Sequence, residues 1–155
     1  MTGKTKQNKI RMSKSAAVLL LICWLVYVCS YIGKLGYSAN IVNIEKDFNV
    51  THAMAGMAST FFFFAYGVGQ IINGIFCKKY NLKYLVFCVL LISAACNLSV
   101  GIIRNFIVIR ILWLINGAAL SVLWPSLIRL LSETLKADYS PKVVVVMGTT
   151  VAVGT

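Results

Sequence analysis

The sequence predicts an all-α membrane protein with four transmembrane helices and the start of a fifth. Three observations predict it. Apolar residues run in stretches of the length that crosses a bilayer, about 20 residues. Only 12% of the 155 residues are charged, where soluble domains carry about 25%. The net charge of +11 is carried by residues that punctuate the apolar runs and build no basic face. That distribution excludes a nucleic-acid-binding surface and matches the cationic flanks of membrane spans.

Residues 1–14 form a basic N-terminal segment with Lys4, Lys6, Lys9, Arg11 and Lys14. The first span covers residues 15–44; its apolar part starts at Ser15, and no strong stop separates Tyr31 from Ile44. The second span covers residues 53–77, the third 84–103 and the fourth 106–131. A fifth apolar run, residues 142–155, holds 14 residues, about 21 Å of helix. That is too short to cross alone, so the expected reading is a truncated N-terminal bundle. The connections are short and leave no room for an inserted soluble domain.

Charge sets the expected orientation. Lys4 to Lys14, Lys78, Lys79, Lys83, Lys136 and Lys142 fall on one side, and the opposite loops carry Lys46 and Arg104 beside Glu45 and Asp47. Positive residues stay inside, so the N-terminus is expected in the cytoplasm of a multi-pass protein of the plasma or inner membrane. A signal peptide shares a basic start and an apolar run, but Tyr31-Ile32-Gly33-Lys34 is no small-residue cleavage site. Asn49-Val50-Thr51 forms a glycosylation sequon in an outer loop. Cys23, Cys29, Cys77, Cys88 and Cys96 form no CxxC pair and read as free thiols.

Ionisable groups inside a span are costly and usually face a cavity or a partner. Arg110 and Arg129 bracket the fourth span at a spacing of about 28 Å, so each can reach its own interface. Lys34 admits two readings, a boundary residue or the floor of a hydrated cavity. On a continued helix Trp24, Tyr27, Tyr31, Lys34 and Ser38 share one face, and an ammonium there attracts an anion such as a phosphate or carboxylate. Tyr66, Gln70 and Asn73 recur at helical spacing in the second span and extend the candidate cavity lining. The glycines of that span read as packing positions. In the fourth span Gly117, Ser121 and Pro125 follow at four-residue intervals, a close-packing face ending in a proline kink.

The acids Glu45, Asp47, Glu133 and Asp138 and the single histidine, His52, fall in or beside loops. No paired carboxylates, nucleophile–base set or metal-ligand spacing is visible, so an enzyme is not expected, and neither a metal nor a cofactor is called for.

Three local patterns resemble the major facilitator superfamily, and within it the organophosphate:phosphate antiporters. They are Tyr31-Ile-Gly-Lys34; Tyr66-Gly67-Val-Gly69-Gln70-Ile-Ile-Asn73-Gly74 leading into a basic loop; and Asn116-Gly117 with Trp124-Pro125 and Arg129-Leu130-Leu131-Ser132. The resemblance covers residues 15–155 and implies the N-terminal half of a twelve-helix, two-half bundle. It implies a substrate site near the midplane, gradient-driven exchange of a small anionic organic solute, and a C-terminal half as the missing partner. Lys34 stands where that family has a phosphate-binding cation, with Tyr31, Tyr37, Tyr66 and Gln70 shaping the cavity. Gly74, Lys78, Lys79 and Lys83 correspond to its gating loop; Lys79 and Lys83 keep basic positions, while Lys78 replaces an acid and Asn81 a glycine. Gly117, Ser121, Trp124, Pro125 and Arg129 correspond to the kinked and packed fourth helix, where Leu120, Ser121 and Leu123 occupy positions of family Gln and Gly residues. Lysine for the family's usual arginine exchanges a planar fork for a point charge. Two other readings stay open: a transporter-like membrane sensor, and a non-transporting remnant or membrane module.

Overall fold

A computed structural model describes residues 13–76, 81–135 and 140–155. Every element in it is helical: α1 Lys14–Ala39, α2 Ile41–Phe48, α3 His52–Phe76, α4 Leu82–Ile102, α5 Phe106–Leu120, α6 Leu123–Thr134 and α7 Ser140–Gly154. Four stretches are long and apolar enough to cross a membrane: α1, α3, α4 and α5 continued by α6. The fifth run forms α7, which is shorter. Lys4, Lys6, Lys9, Arg11, Lys78, Lys79 and Lys136 lie outside the described residues, and so does Cys77. The other four cysteines are free thiols.

Side chains that accept backbone N–H bonds set the helix starts. Ser13 accepts from the Ala16 amide at 3.2 Å, Asn81 from Lys83 at 3.2 Å, and Asn105 from Ile107 and Val108 at 3.0 and 3.4 Å. These oxygens satisfy first-turn donors that have no partner within the helix.

The first span differs from the continuous helix over 15–44 that the sequence predicts. It stops at Ala39, and a separate short helix, α2, follows. Asn40 is the cause. Its side-chain amide donates to the Gly36 carbonyl at 2.9 Å, the acceptor that its own backbone N–H would take in an unbroken helix. A local side-chain bond of this kind competes with the helical ladder. At the end of α2, Asn49 adopts a left-handed conformation with φ 51°, which asparagine tolerates better than most residues.

The fourth span is interrupted after Leu120. Pro125 has no N–H to donate to Ser121, four residues back. The ladder tightens there to a three-residue bond from Val122 N–H to Ala119 O at 3.3 Å, and it resumes with Ser126 N–H to Val122 O at 3.2 Å. The expected kink is therefore a break between α5 and α6.

The core lies between α1, α3, α5 and α6, where Tyr37, Phe62, Ile109, Trp113, Leu120, Leu123, Leu127 and Leu131 are buried. The closest helix contact is α3 on α5. A Cβ at Gly117 would run into the backbone of Phe62, and one at Gly69 into the side chain of Ser121. Small residues on each helix thus let the other approach closely, as membrane helices require. Asn73 closes the contact by donating to Ser121 Oγ at 3.1 Å and to Gly69 O at 2.7 Å. Large apolar side chains such as Phe63, Phe64, Ile71, Phe87 and Leu98 are exposed on the outside, as a lipid-facing surface demands.

Candidate functional site

Lys34 lies on α1, five residues before its end, about 7.5 Å along the axis. It is half-buried. Side chains of a helix lean toward its N-terminus, so the lysine reaches back over the preceding turns of α1. Its Nζ donates to the Tyr27 hydroxyl at 3.2 Å and to the Tyr66 hydroxyl, from α3, at 3.4 Å. The ammonium also lies 4.5 Å from the ring centres of Tyr27 and Tyr31, and 5.0 Å from that of Tyr66. Three ring faces around one cation form an aromatic cage; each such contact contributes about 0.5–2 kcal/mol depending on desolvation. Among the described residues, the ion pairs join Glu45, Asp47 and Glu133 to other cations, and none involves Lys34.

The cage is held in place by packing. Tyr27 packs edge-on against Tyr31, ring centres 5.7 Å apart, and at a tilt of 55° against Trp124 of α6 at 4.8 Å. Tyr66 stacks on Phe62 of its own helix at 6.0 Å. Trp24, one turn before Tyr27, donates its indole N–H to Thr149 of α7 at 3.0 Å. Tyr31 lies against Gly154, whose missing side chain leaves the space for the ring. The cation is therefore set where α1, α3, α6 and α7 converge.

This arrangement has a definite chemical capacity. An ammonium carries three N–H donors, two of them directed at phenol oxygens. Each phenol that accepts from Nζ keeps its own proton to donate. An incoming anionic oxygen would therefore meet Nζ and the Tyr27 and Tyr66 hydroxyls as donors, and bonds to a charged acceptor are about twice as strong as neutral ones.

The sequence-derived residues separate into groups. Lys34, Tyr31 and Tyr66 are brought together. Gln70 is half-buried on α3, one turn beyond Tyr66 on the same face. Tyr37 is placed elsewhere: it is buried, its ring lies 5.0 Å from that of Trp113, and its hydroxyl donates to Ala55 O at 2.9 Å. Gly117 and Ser121 lie in the α3–α5 contact, and Trp124 backs the cage. Arg129 pairs with Glu133 at 2.6 Å on α6, and Arg110 lies 5.1 Å from the centre of the Phe106 ring. Gly74 and Lys83 are exposed, at the end of the bundle where α3 finishes and α4 begins. Tyr27, which shares the helical face of Trp24, Tyr31, Lys34 and Ser38, supplies the third ring, although the residues matched to the family's cavity do not include it. A cavity of about 380 Å³ lies toward the other end, lined by Asn40, Asn43, Asp47, Asn97, Arg104 and Trp113 among others; Lys34 does not line it.

A family model described as Major Facilitator Superfamily matches residues 23–155. The "Membrane sensor protein UhpC" of Escherichia coli strain K12 is 25% identical over 99 residues, 64% of this chain and 23% of that protein. The "Probable hexose phosphate transport protein" of Chlamydia pneumoniae is 22% identical over 107 residues, 69% of this chain and 24% of that protein. The chain thus spans about a quarter of the length of these curated relatives. No solved structure matches.

Proposed function

This chain belongs to the Major Facilitator Superfamily, a family of multi-pass membrane transport proteins, and on that premise we propose that it binds a small anionic organic solute for transport by alternating access. The solute class is an organic phosphate or carboxylate, held at Lys34. One observation carries the reading: a half-buried ammonium among three tyrosines, with no ion pair to a carboxylate among the described residues. A cation inside a span is costly, and an anionic ligand offsets that cost while using the phenol donors. A relative named as a hexose phosphate transport protein agrees with a phosphate ester.

In this proposal the solute crosses between this bundle and a second one that supplies the opposing wall and a further cation. The N-terminus faces the cytoplasm, with Lys14 and Lys83 on that side and Lys46 and Arg104 on the other. Gly74, Lys78, Lys79 and Lys83 serve the cytoplasmic gate.

A second reading is favoured by the relative named as a membrane sensor protein: the same pocket binds the solute and reports it to a partner. Two measurements separate the readings. Binding of glucose 6-phosphate is measured on the chain in nanodiscs, and uptake is measured in vesicles carrying the protein with its complementary half. Binding with uptake supports transport, and binding without uptake supports sensing. Lys34→Met abolishes binding in either case. Wild-type affinity in that variant removes Lys34 from the site, and no binding by the wild type contradicts both readings.

A further inference from the structure

The backbone carbonyl of Gly33, next to Lys34, receives two side-chain amides from two other helices. Asn116 of α5 donates to it at 2.9 Å, and Asn97 of α4 donates at 3.3 Å while also bonding its own Ser93 carbonyl at 2.8 Å. Helical carbonyls already accept one backbone N–H, so this oxygen is unusually well supplied. Gly33 also lets α4 and α5 approach closely. A Cβ there would come within 2.5 Å of Ser93 Oγ and meet Asn97 and Leu120 as well. Both contacts hold α1 at the residue that precedes the cation.

Asn116 is fully buried, and its Oδ1 has no hydrogen-bond partner. A buried acceptor without a donor destabilises the folded state; an apolar side chain of the same shape carries no such orphan, and the Gly33 carbonyl would keep its helical N–H and the Asn97 amide as donors. Leucine has the same branching and number of side-chain heavy atoms. Stability alone would therefore favour an apolar residue at position 116. The amide is retained at a cost, and its single bond is to the Gly33 carbonyl.

We propose that Asn116, aided by Asn97, is a positioning residue: the two amides fix the height and rotation of α1 at Gly33 and so aim Lys34 into the tyrosine cage. This rests on the reading of Lys34 as the anion contact, but the positioning claim has its own readout. Without the amides, α1 is free to slide or turn at Gly33, and Nζ loses its register with Tyr66 of α3.

The test uses the full chain in nanodiscs and the variants Asn116→Leu and Asn97→Leu. Three quantities are read: thermal unfolding, affinity for glucose 6-phosphate, and the rate at which an amine-reactive reagent labels Lys34 without ligand, followed by peptide mass spectrometry. Asn116→Leu should unfold at the wild-type temperature or above, since it removes the orphaned acceptor. It should bind at least about tenfold more weakly, the scale of losing one hydrogen bond to a charged group, and label Lys34 several-fold faster. Asn97→Leu should shift affinity and labelling the same way, by less. Wild-type labelling and affinity in a well-folded Asn116→Leu protein overturn the proposal. So does a loss of affinity matched by a drop in unfolding temperature, which marks a structural role only. If the wild type binds no phosphate ester, the functional reading fails, and the labelling rates still decide the positioning claim.

Discussion

Replacing Gly117 by alanine places a methyl group against the backbone of α3. A Cβ built at that position lies 3.0 Å from both the Cα and the carbonyl carbon of Phe62, and closer to its carbonyl oxygen. Ordinary carbon–carbon contact begins near 3.4 Å. The obstacle is backbone within a helix, so no side chain can rotate away, and α3 must separate from α5 by several tenths of an ångström. That shift loosens the Asn73–Ser121 bond further along the same interface. Overpacking of this kind costs about 1–3 kcal/mol, and about 2 kcal/mol changes the folding equilibrium roughly thirtyfold. Gly67→Ala on α3 is the internal control, because a Cβ there meets nothing within 4 Å. Relieved of glycine's backbone entropy, it should gain about 0.5–1 kcal/mol. Reversible unfolding in mixed micelles, followed by circular dichroism, compares the two. Opposite signs are expected; a Gly117→Ala protein as stable as Gly67→Ala would refute the close α3–α5 approach.

Other perturbations address the site and its supports. Tyr66→Phe removes one phenol donor and should weaken binding of a phosphate ester by roughly ten- to hundredfold, the range of one hydrogen bond to a charged group, measured by titration calorimetry. Tyr37→Phe should cost about 1 kcal/mol of stability through the lost bond to Ala55 O and leave affinity within about twofold; a loss like that of Tyr66→Phe would return Tyr37 to the cavity. Pro125→Ala restores the N–H that Ser121 lacks and should fuse α5 with α6, lengthening the distance between spin labels placed near residues 107 and 132; an unchanged distance would show that the break has another cause.

The spans were legible because lipid imposes a length and a polarity that hydropathy reports directly. The breaks inside them were legible unequally. Pro125 announces its own kink by lacking an N–H. Asn40 does not, because the run from Leu35 to Ile44 keeps its apolar character, and the stop depends on one amide reaching the Gly36 carbonyl. At the site, helical spacing gave the Tyr31–Lys34 pairing but could not say which way the lysine leans. Side chains lean toward the helix start, which turns the lysine toward Tyr27 and Tyr31 and away from Tyr37. The approach of Tyr66 joins residues 32 positions apart, and no local pattern encodes that. Asn97 carried no signal of its own; its importance comes from the carbonyl it reaches on another helix.

Protection of Lys34 by ligand tests the central claim most directly. The chain in nanodiscs is treated with an amine-reactive reagent in the presence of glucose 6-phosphate, of glucose, or of neither, and modification of the Lys34 peptide is quantified. Slower labelling with the phosphate ester alone is the predicted result. Equal rates in all three samples, or equal protection by glucose, would contradict an ammonium that recognises an anion.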